Sequence, residues 1–213
     1  MSRYELKFNR EYLDRLAKDL FVKIAGDEKL WDEIEEARNS ISPVCFYNIY
    51  DEIKVEENHL VLDENISLHS PYFSTLPSEI LGSVACFAMT VGELPKDEES
   101  ITKTALIDMA GTAYIDALRK VLSGELEEDY LVSGMVAPGI GEMPFEEIRK
   151  FEEIFDFSKL GISVNESFVM SPEKSATGIY MLFTEAHPEN HNSCDVCMSR
   201  GYGCNFCSIN GAK

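Results

Sequence analysis

The chain changes character after Ala186, and that break limits its architecture more than any other feature. Up to that point apolar residues recur with helix or strand periodicity. From His187 to Lys213 the text HPENHNSCDVCMSRGYGCNFCSINGAK has almost no apolar period and is rich in Cys, Asn and Gly. A segment this short and polar cannot build a core, and regions of this size are usually ordered by a metal or another cross-link. Four of the six cysteines, Cys194, Cys197, Cys204 and Cys207, fall within it as C-x2-C-x6-C-x2-C. Each C-x2-C pair turns two sulfurs toward one point, and Gly201 and Gly203 let the connecting loop fold back so that the pairs meet. The pattern predicts a four-thiolate metal site. Tetrahedral zinc and an iron-sulfur cluster both accept this donor set, and spacing alone leaves the two open. His187 and His191 are loop residues in this reading, because four thiolates already complete a site. The expected division is residues 1–186 as the main domain and 187–213 as a metal-binding tail.

Within the main domain, Asn9 is placed to cap a helix carrying Leu13, Leu16, Leu20 and Ile24. Asp27 precedes a second, with Leu30, Ile34, Ala37 and Ile41 at helical spacing and Pro43 as its stop. VCFYNIY, EIKVE and HLVLD are β-rich runs, the last two joined by Glu57-Asn58 as a hairpin, and GSVACFAMTVG is a buried strand. A long helix is predicted from about Ser100 to Leu122, with Ala105, Ala110, Gly111 and Ala113 small enough to admit a close neighbour. YLVSGMVAPGIGEMP runs from strand into a Gly/Pro loop. Pro144 then opens a helix with Phe145, Ile148, Phe151 and Phe155. GISVNESFVM and GIYMLFTEA are the last β candidates. Helices and strands that do not alternate regularly predict an α+β fold with a largely antiparallel, twisted sheet.

Composition narrows the function. The 19 basic and 38 acidic residues give a net charge of −19, which repels polyanions and excludes nucleic acid as a partner. No run approaches the ~18 apolar residues of a membrane helix, and MSRYELKFNREYLDRL is too charged for a secretory signal. The chain is therefore expected to be cytoplasmic, where clustered thiols hold metal more often than they form disulfides. Cys45 and Cys86, set in apolar runs, are predicted to be buried. His59 and His69, which have no metal-ligand spacing nearby, are expected to be surface residues rather than ligands, Lys174 a turn residue, and Tyr180, Phe183 and Phe151 core aromatics.

Two further segments carry a resemblance. VAPGIGEMP at 136–144 and NESFVMSPEKSATGIYM at 165–181 look like the activation domain of vitamin B12-dependent methionine synthase, which rescues oxidised cobalamin by reductive methylation. In that family an Arg-x-(Ala/Ser)-Pro-Gly-Tyr loop is followed, about forty residues later, by a segment resembling Thr-Glu-Ser-x-x-Met-x-Pro-x-x-Ser-x-Ser-Gly. Ala137, Pro138 and Gly139 match the first; Glu166, Ser167, Met170, Pro172, Ser175 and Gly178 match the second. TVG at 90–92 and DMAGTAYIDAL at 108–118 fit the family's order, so the resemblance spans most of residues 40–185. It implies an activation-domain-like fold, the nine matched residues as a cobalamin-binding or ligand-binding surface, and a corrinoid protein or cobalamin-dependent methyltransferase as partner.

The departures are as informative as the matches. Where the family has the arginine that holds the carboxylate of S-adenosylmethionine and the tyrosine that faces cobalamin, this chain has Met135 and Ile140. A lost charge-assisted contact costs about 1.5–3 kcal/mol, which counts against S-adenosylmethionine as a ligand. The methionine synthase version lacks the cysteine tail and takes its electron from a flavodoxin-type partner. The resemblance therefore favours iron-sulfur over zinc in the tail, with reductive activation of a corrinoid as the function. Two alternatives remain at this point: reductive methylation with S-adenosylmethionine held by Ala137, Gly139 and Glu166, and a non-enzymatic docking module with structural zinc.

Overall fold

The computed structural model describes residues 2–62, 66–76, 79, 81–97 and 99–185. The chain begins with β1 (Ser2–Glu5), which sequence reading passed over because its charged text lacks a strand's alternation. Next is α1 (Arg10–Ala25), where Asn9 accepts from the Tyr12 N–H at 3.1 Å as predicted, and Gly26, with φ of 77°, returns its N–H to the Val22 carbonyl. The expected second helix is two short ones, α2 (Lys29–Glu33) and α3 (Glu35–Ser40), broken at Ile34. The break has a cause. Arg38 lays its guanidinium 4.4 Å from the Trp31 ring centre and donates from Nε to the Trp31 carbonyl at 3.1 Å, the oxygen a continuous helix would have used for Glu35.

The remaining elements follow the predicted order with a few additions. They are β2 (Val44–Tyr50), the hairpin β3 (Lys54–Glu56) and β4 (His59–Val61), then β5 (Ser67–His69), a 3-10 turn at Pro71–Thr75, and β6 (Leu81–Thr90). After the long helix α4 (Ile101–Leu126), capped by Ser100, come β7 (Leu131–Val136), a 3-10 turn at Phe145–Glu147 running into α5 (Ile148–Ile154), and a third 3-10 turn at Phe157–Leu160. Pro144 precedes the helical turn, as expected, but Phe155 falls beyond its end. GISVNESFVM forms only a two-residue ladder, β8 (Ser163–Val164) with β9 (Met170–Ser171), and β10 (Ser175–Phe183) closes the described chain.

The main sheet has the order β1-β2-β6-β10-β7, and every pairing in it is antiparallel. The alternation of its central strands sorts two cores. Tyr47, Phe87, Met89, Tyr180 and Leu182 face the helical layer with Leu13, Phe21, Trp31, Tyr114 and Leu118. Val84, Cys86, Ile179, Met181 and Phe183 face the other way, onto Leu60, Leu68, Phe73, Phe151 and Phe155 of the small β3-β4-β5 sheet, α5 and their connections. Cys45 and Cys86 are buried thiols whose ionisation is pushed well up by desolvation, so neither is placed to ligate metal. The mixed helices and antiparallel sheet agree with the α+β expectation. No helix among the described residues is long and apolar enough to cross a membrane.

Candidate functional site

The site is built where β7 leaves the sheet. Val136 is its last residue paired with β10, opposite Ile179, and Ala137-Pro138-Gly139-Ile140 then reverses the chain. Ile140 donates to the Ala137 carbonyl at 2.7 Å, and Gly139 has φ of 82°. Proline second and a left-handed glycine third are the requirements of a type II turn. The reversal is doubled by a second bend with Gly141 and Glu142 at φ of 67° and 55°, closed by the Gly139 N–H on the Met143 carbonyl at 2.8 Å. The Phe145 ring covers the turn so closely that a Cβ on Gly139 would lie 2.7 Å from it.

The two matched segments meet here. A Cβ on Gly178 would sit 2.8 Å from the Val136 carbonyl oxygen and 2.9 Å from the Ala137 Cβ. Small residues at such a contact can leave space for a ligand or let two backbones close on each other. Here the backbones close on each other, so no ligand enters between turn and strand. The start of β10 is less paired: it lies against β6 from Ser175 onward, but β7 joins it only from Ile179, and Thr177 there is buried, its hydroxyl donating to the Phe87 carbonyl at 2.6 Å. Ser175–Thr177 therefore have a strand neighbour on one side only among the described residues.

The other matched residues are placed differently. Glu166 and Ser167 stand exposed on the turn of the β8–β9 ladder, where Asn165 Oδ1 accepts from the N–H groups of Ser167 and Val169 at 2.9 and 3.0 Å. Neither the Glu166 nor the Ser167 side chain makes a hydrogen bond among the described residues. Arg149 ties this turn to α5, donating to the Asn165 carbonyl at 2.8 Å and to Glu152 at 2.6 Å. Met170 is half-buried opposite Val164, and Pro172, buried behind a cis peptide bond, leads into Ser175, whose hydroxyl bonds that of Thr90 at 2.9 Å.

The two departures are equally explicit. Met135 is 5% exposed, paired across the strands with Tyr180 and packed into the helical-side core, so the position offers no polar group to a ligand. Ile140 packs on the same core. Charge near the edge comes from elsewhere. Lys174, expected as a plain turn residue, lays its stem over Gly111 of α4 and ends 2.8 Å from the Asp108 carboxylate. About two turns beyond Gly111 on α4, Tyr180 donates to the Arg119 carbonyl at 3.5 Å, and Arg119 pairs with Asp116 at 3.1 Å. Burial pushes the Asp116 carboxyl up, opposed by the Arg119 charge.

Sequence reading missed the residues that brace the turn. Ser70 is fully buried, and its hydroxyl donates to the Gly141 carbonyl while accepting from Tyr72 N–H at 3.1 Å. Glu147 accepts from the His69 N–H at 2.9 Å. The signal for Ser70 was present, since a serine before Pro71 is a helical-turn cap, but its second partner lies far away in sequence and leaves no local trace. Cys194, Cys197, Cys204 and Cys207 lie outside the described residues. Among the described residues no three His, Cys, Asp or Glu side chains converge as a metal site.

No protein-family model matches the chain, and no curated protein matches its sequence significantly. Among solved structures, it is similar to the crystal structure of the MetH reactivation domain bound to AdoHcy, with a TM-score of 0.65 and 13% identity over 88% of this chain and 80% of that one. The described chain therefore has the fold of a methionine synthase reactivation domain.

Proposed function

We propose that this chain activates a corrinoid by one-electron reduction, serving a corrinoid protein or a cobalamin-dependent methyltransferase. The observation that carries the reading is the contact of Gly178 with Val136 and Ala137, which joins the two matched segments on a reactivation-domain fold. In this reading the outer side of the Ala137–Ile140 turn and the half-buried start of β10 at Ser175 and Ala176 form the corrinoid face. Ser70 and Phe145 hold that turn rigid, so it presents Pro138 and the backbone of Gly139 without reorganising on binding. The burial of Met135 supports electron delivery over methyl donation, because the carboxylate grip for S-adenosylmethionine is absent from that position.

The four thiolates of Cys194, Cys197, Cys204 and Cys207 are soft donors suited to an iron-sulfur cluster, which supplies low-potential electrons when bound. The buried thiols of Cys45 and Cys86 leave these four as the chain's remaining cysteines.

The test uses the full chain purified without oxygen. Iron and labile sulfide are measured, the protein is reduced with dithionite and desalted, and cob(II)alamin is added. The reading expects one electron lost by the protein for each cob(I)alamin formed. Zinc in place of iron with no reduction overturns it in favour of the docking module. Calorimetric binding of S-adenosylmethionine with methylcobalamin formation overturns it in favour of reductive methylation.

A further inference from the structure

The small sheet carries a pair of histidines that the corrinoid reading does not use. His59 on β4 lies directly opposite His69 on β5. On either side of them the strands are tied by hydrogen bonds from Ser70 N–H to the Asn58 carbonyl at 2.8 Å and from Leu62 N–H to the Ile66 carbonyl at 2.9 Å. Counting inward from those ties puts His59 and His69 at a non-hydrogen-bonded pair, the register in which facing side chains come closest. Leu60 and Leu68, the next pair, are fully buried, so the histidines take the opposite, solvent side of the sheet. Their ring centres are 4.9 Å apart with planes inclined by 52°.

Glu56 extends the row. It sits opposite His59 on β3, so a carboxylate and two imidazoles stand side by side across three strands. The backbone is held on its outer side as well. At a non-hydrogen-bonded position the His69 N–H points away from β4, and Glu147 accepts it at 2.9 Å. The residue after it, Ser70, anchors the buried end of the strand.

We propose that His59 and His69 form a two-imidazole binding site for a first-row divalent ion of the zinc, nickel or copper class. Imidazole nitrogen is a preferred ligand of these ions at about 2.0–2.1 Å. Two such bonds to one ion place the ring nitrogens about 3 Å apart. Rings already 4.9 Å apart reach that by side-chain rotation alone, on strands whose spacing is fixed by four hydrogen-bonded neighbours. Among the described residues no third His, Cys, Asp or Glu side chain converges on the pair, so water completes the shell; Glu56, the carboxylate in the row, is paired with the Lys54 ammonium. The net charge of −19 favours cation approach.

The probe is Zn²⁺ titrated without oxygen into the full chain, followed by the side-chain carbon-proton resonances of its four histidines. Beyond the first equivalents, which the tail thiolates take when they hold no iron, the His59 and His69 resonances are expected to move together. His59→Ala should weaken the response at His69 by at least about tenfold, and His69→Gln should do the same at His59, as loss of a partner in a metal site does. Far-UV circular dichroism confirms that each variant is folded. Resonances of His59 and His69 that stay fixed while those of His187 and His191 move, or a His69 response unchanged in His59→Ala, would overturn the assignment. The outcome is independent of the corrinoid reading: cobalamin reduction does not enter the measurement, and the iron content of the tail changes only how many equivalents precede the response at His59 and His69.

Discussion

Gly178→Ala tests the contact on which the site rests. The added methyl would meet the Val136 carbonyl oxygen at 2.8 Å, the Ala137 Cβ at 2.9 Å and the Phe87 Cζ at 3.1 Å. The first two are backbone and a one-carbon side chain, which have no rotamer to yield, so β7 has to move away from β10. Overpacking of this kind costs about 1–3 kcal/mol. Replacing a strand glycine returns about 0.5–1 kcal/mol of backbone entropy, which leaves a net loss of about 0.5–2 kcal/mol. For a domain of this size that corresponds to a fall of about 1–8 °C in Tm. Gly124→Ala is the control: a Cβ there meets nothing within 4 Å, and a helical alanine should gain about 0.5–1 kcal/mol. Thermal unfolding followed by circular dichroism reads both. A Gly178→Ala protein as stable as the wild type would show that turn and strand are not in the close contact described.

Two further outcomes are expected. Tyr114 is fully buried and donates to Asp14 at 2.7 Å; burial first, and then that carboxylate, push its phenol up to about 12. A folded pKa above the unfolded value of about 10 means that this stability is complete below pH 10 and is lost as pH rises toward 12, a total of about 2–3 kcal/mol. Urea unfolding at about pH 8 and about pH 11.5 should show that extra decline in the wild type and not in Tyr114→Phe, and parallel declines would refute the assignment. Cys197→Ser should abolish bound iron while leaving the unfolding transition of the main domain unchanged; loss of the fold would show that the tail is integral to it.

How far the sequence disclosed the fold depended on where the information lay. The α1 cap at Asn9, the β3–β4 turn at Glu57-Asn58 and the apolar text of β6 are local signals, and each appeared where the residues put it. The break at Ile34 was hidden because its cause is a side-chain bond from Arg38 back to Trp31, which competes with a helical pattern that is otherwise intact. β1 was hidden because it is an edge strand whose pairing partner, from Phe46 to Ile49, lies more than forty residues along the chain. The site divides in the same way. Pro138-Gly139 foretold a turn, but small residues can mean either open space or close packing, and only the position of Val136 and Ala137 against Gly178 decides between them. Ser70 and Glu147, which brace the turn, act across 71 and 78 residues of chain.

The direction of β10 sets a condition on any traffic between tail and turn. The strand starts beside the matched contact and ends at Phe183, five residues and about 17 Å past Gly178. Cys194 lies eleven residues beyond Phe183, a span of at most about 36–40 Å when fully stretched. For a metal held by the tail to approach Gly139, as the proposed function requires, nearly half of that length would go into retracing the sheet. On the proposed reading, a corrinoid not reached in this way would have to be met at the Phe183 end, so that tail and turn would face different sides of their guest.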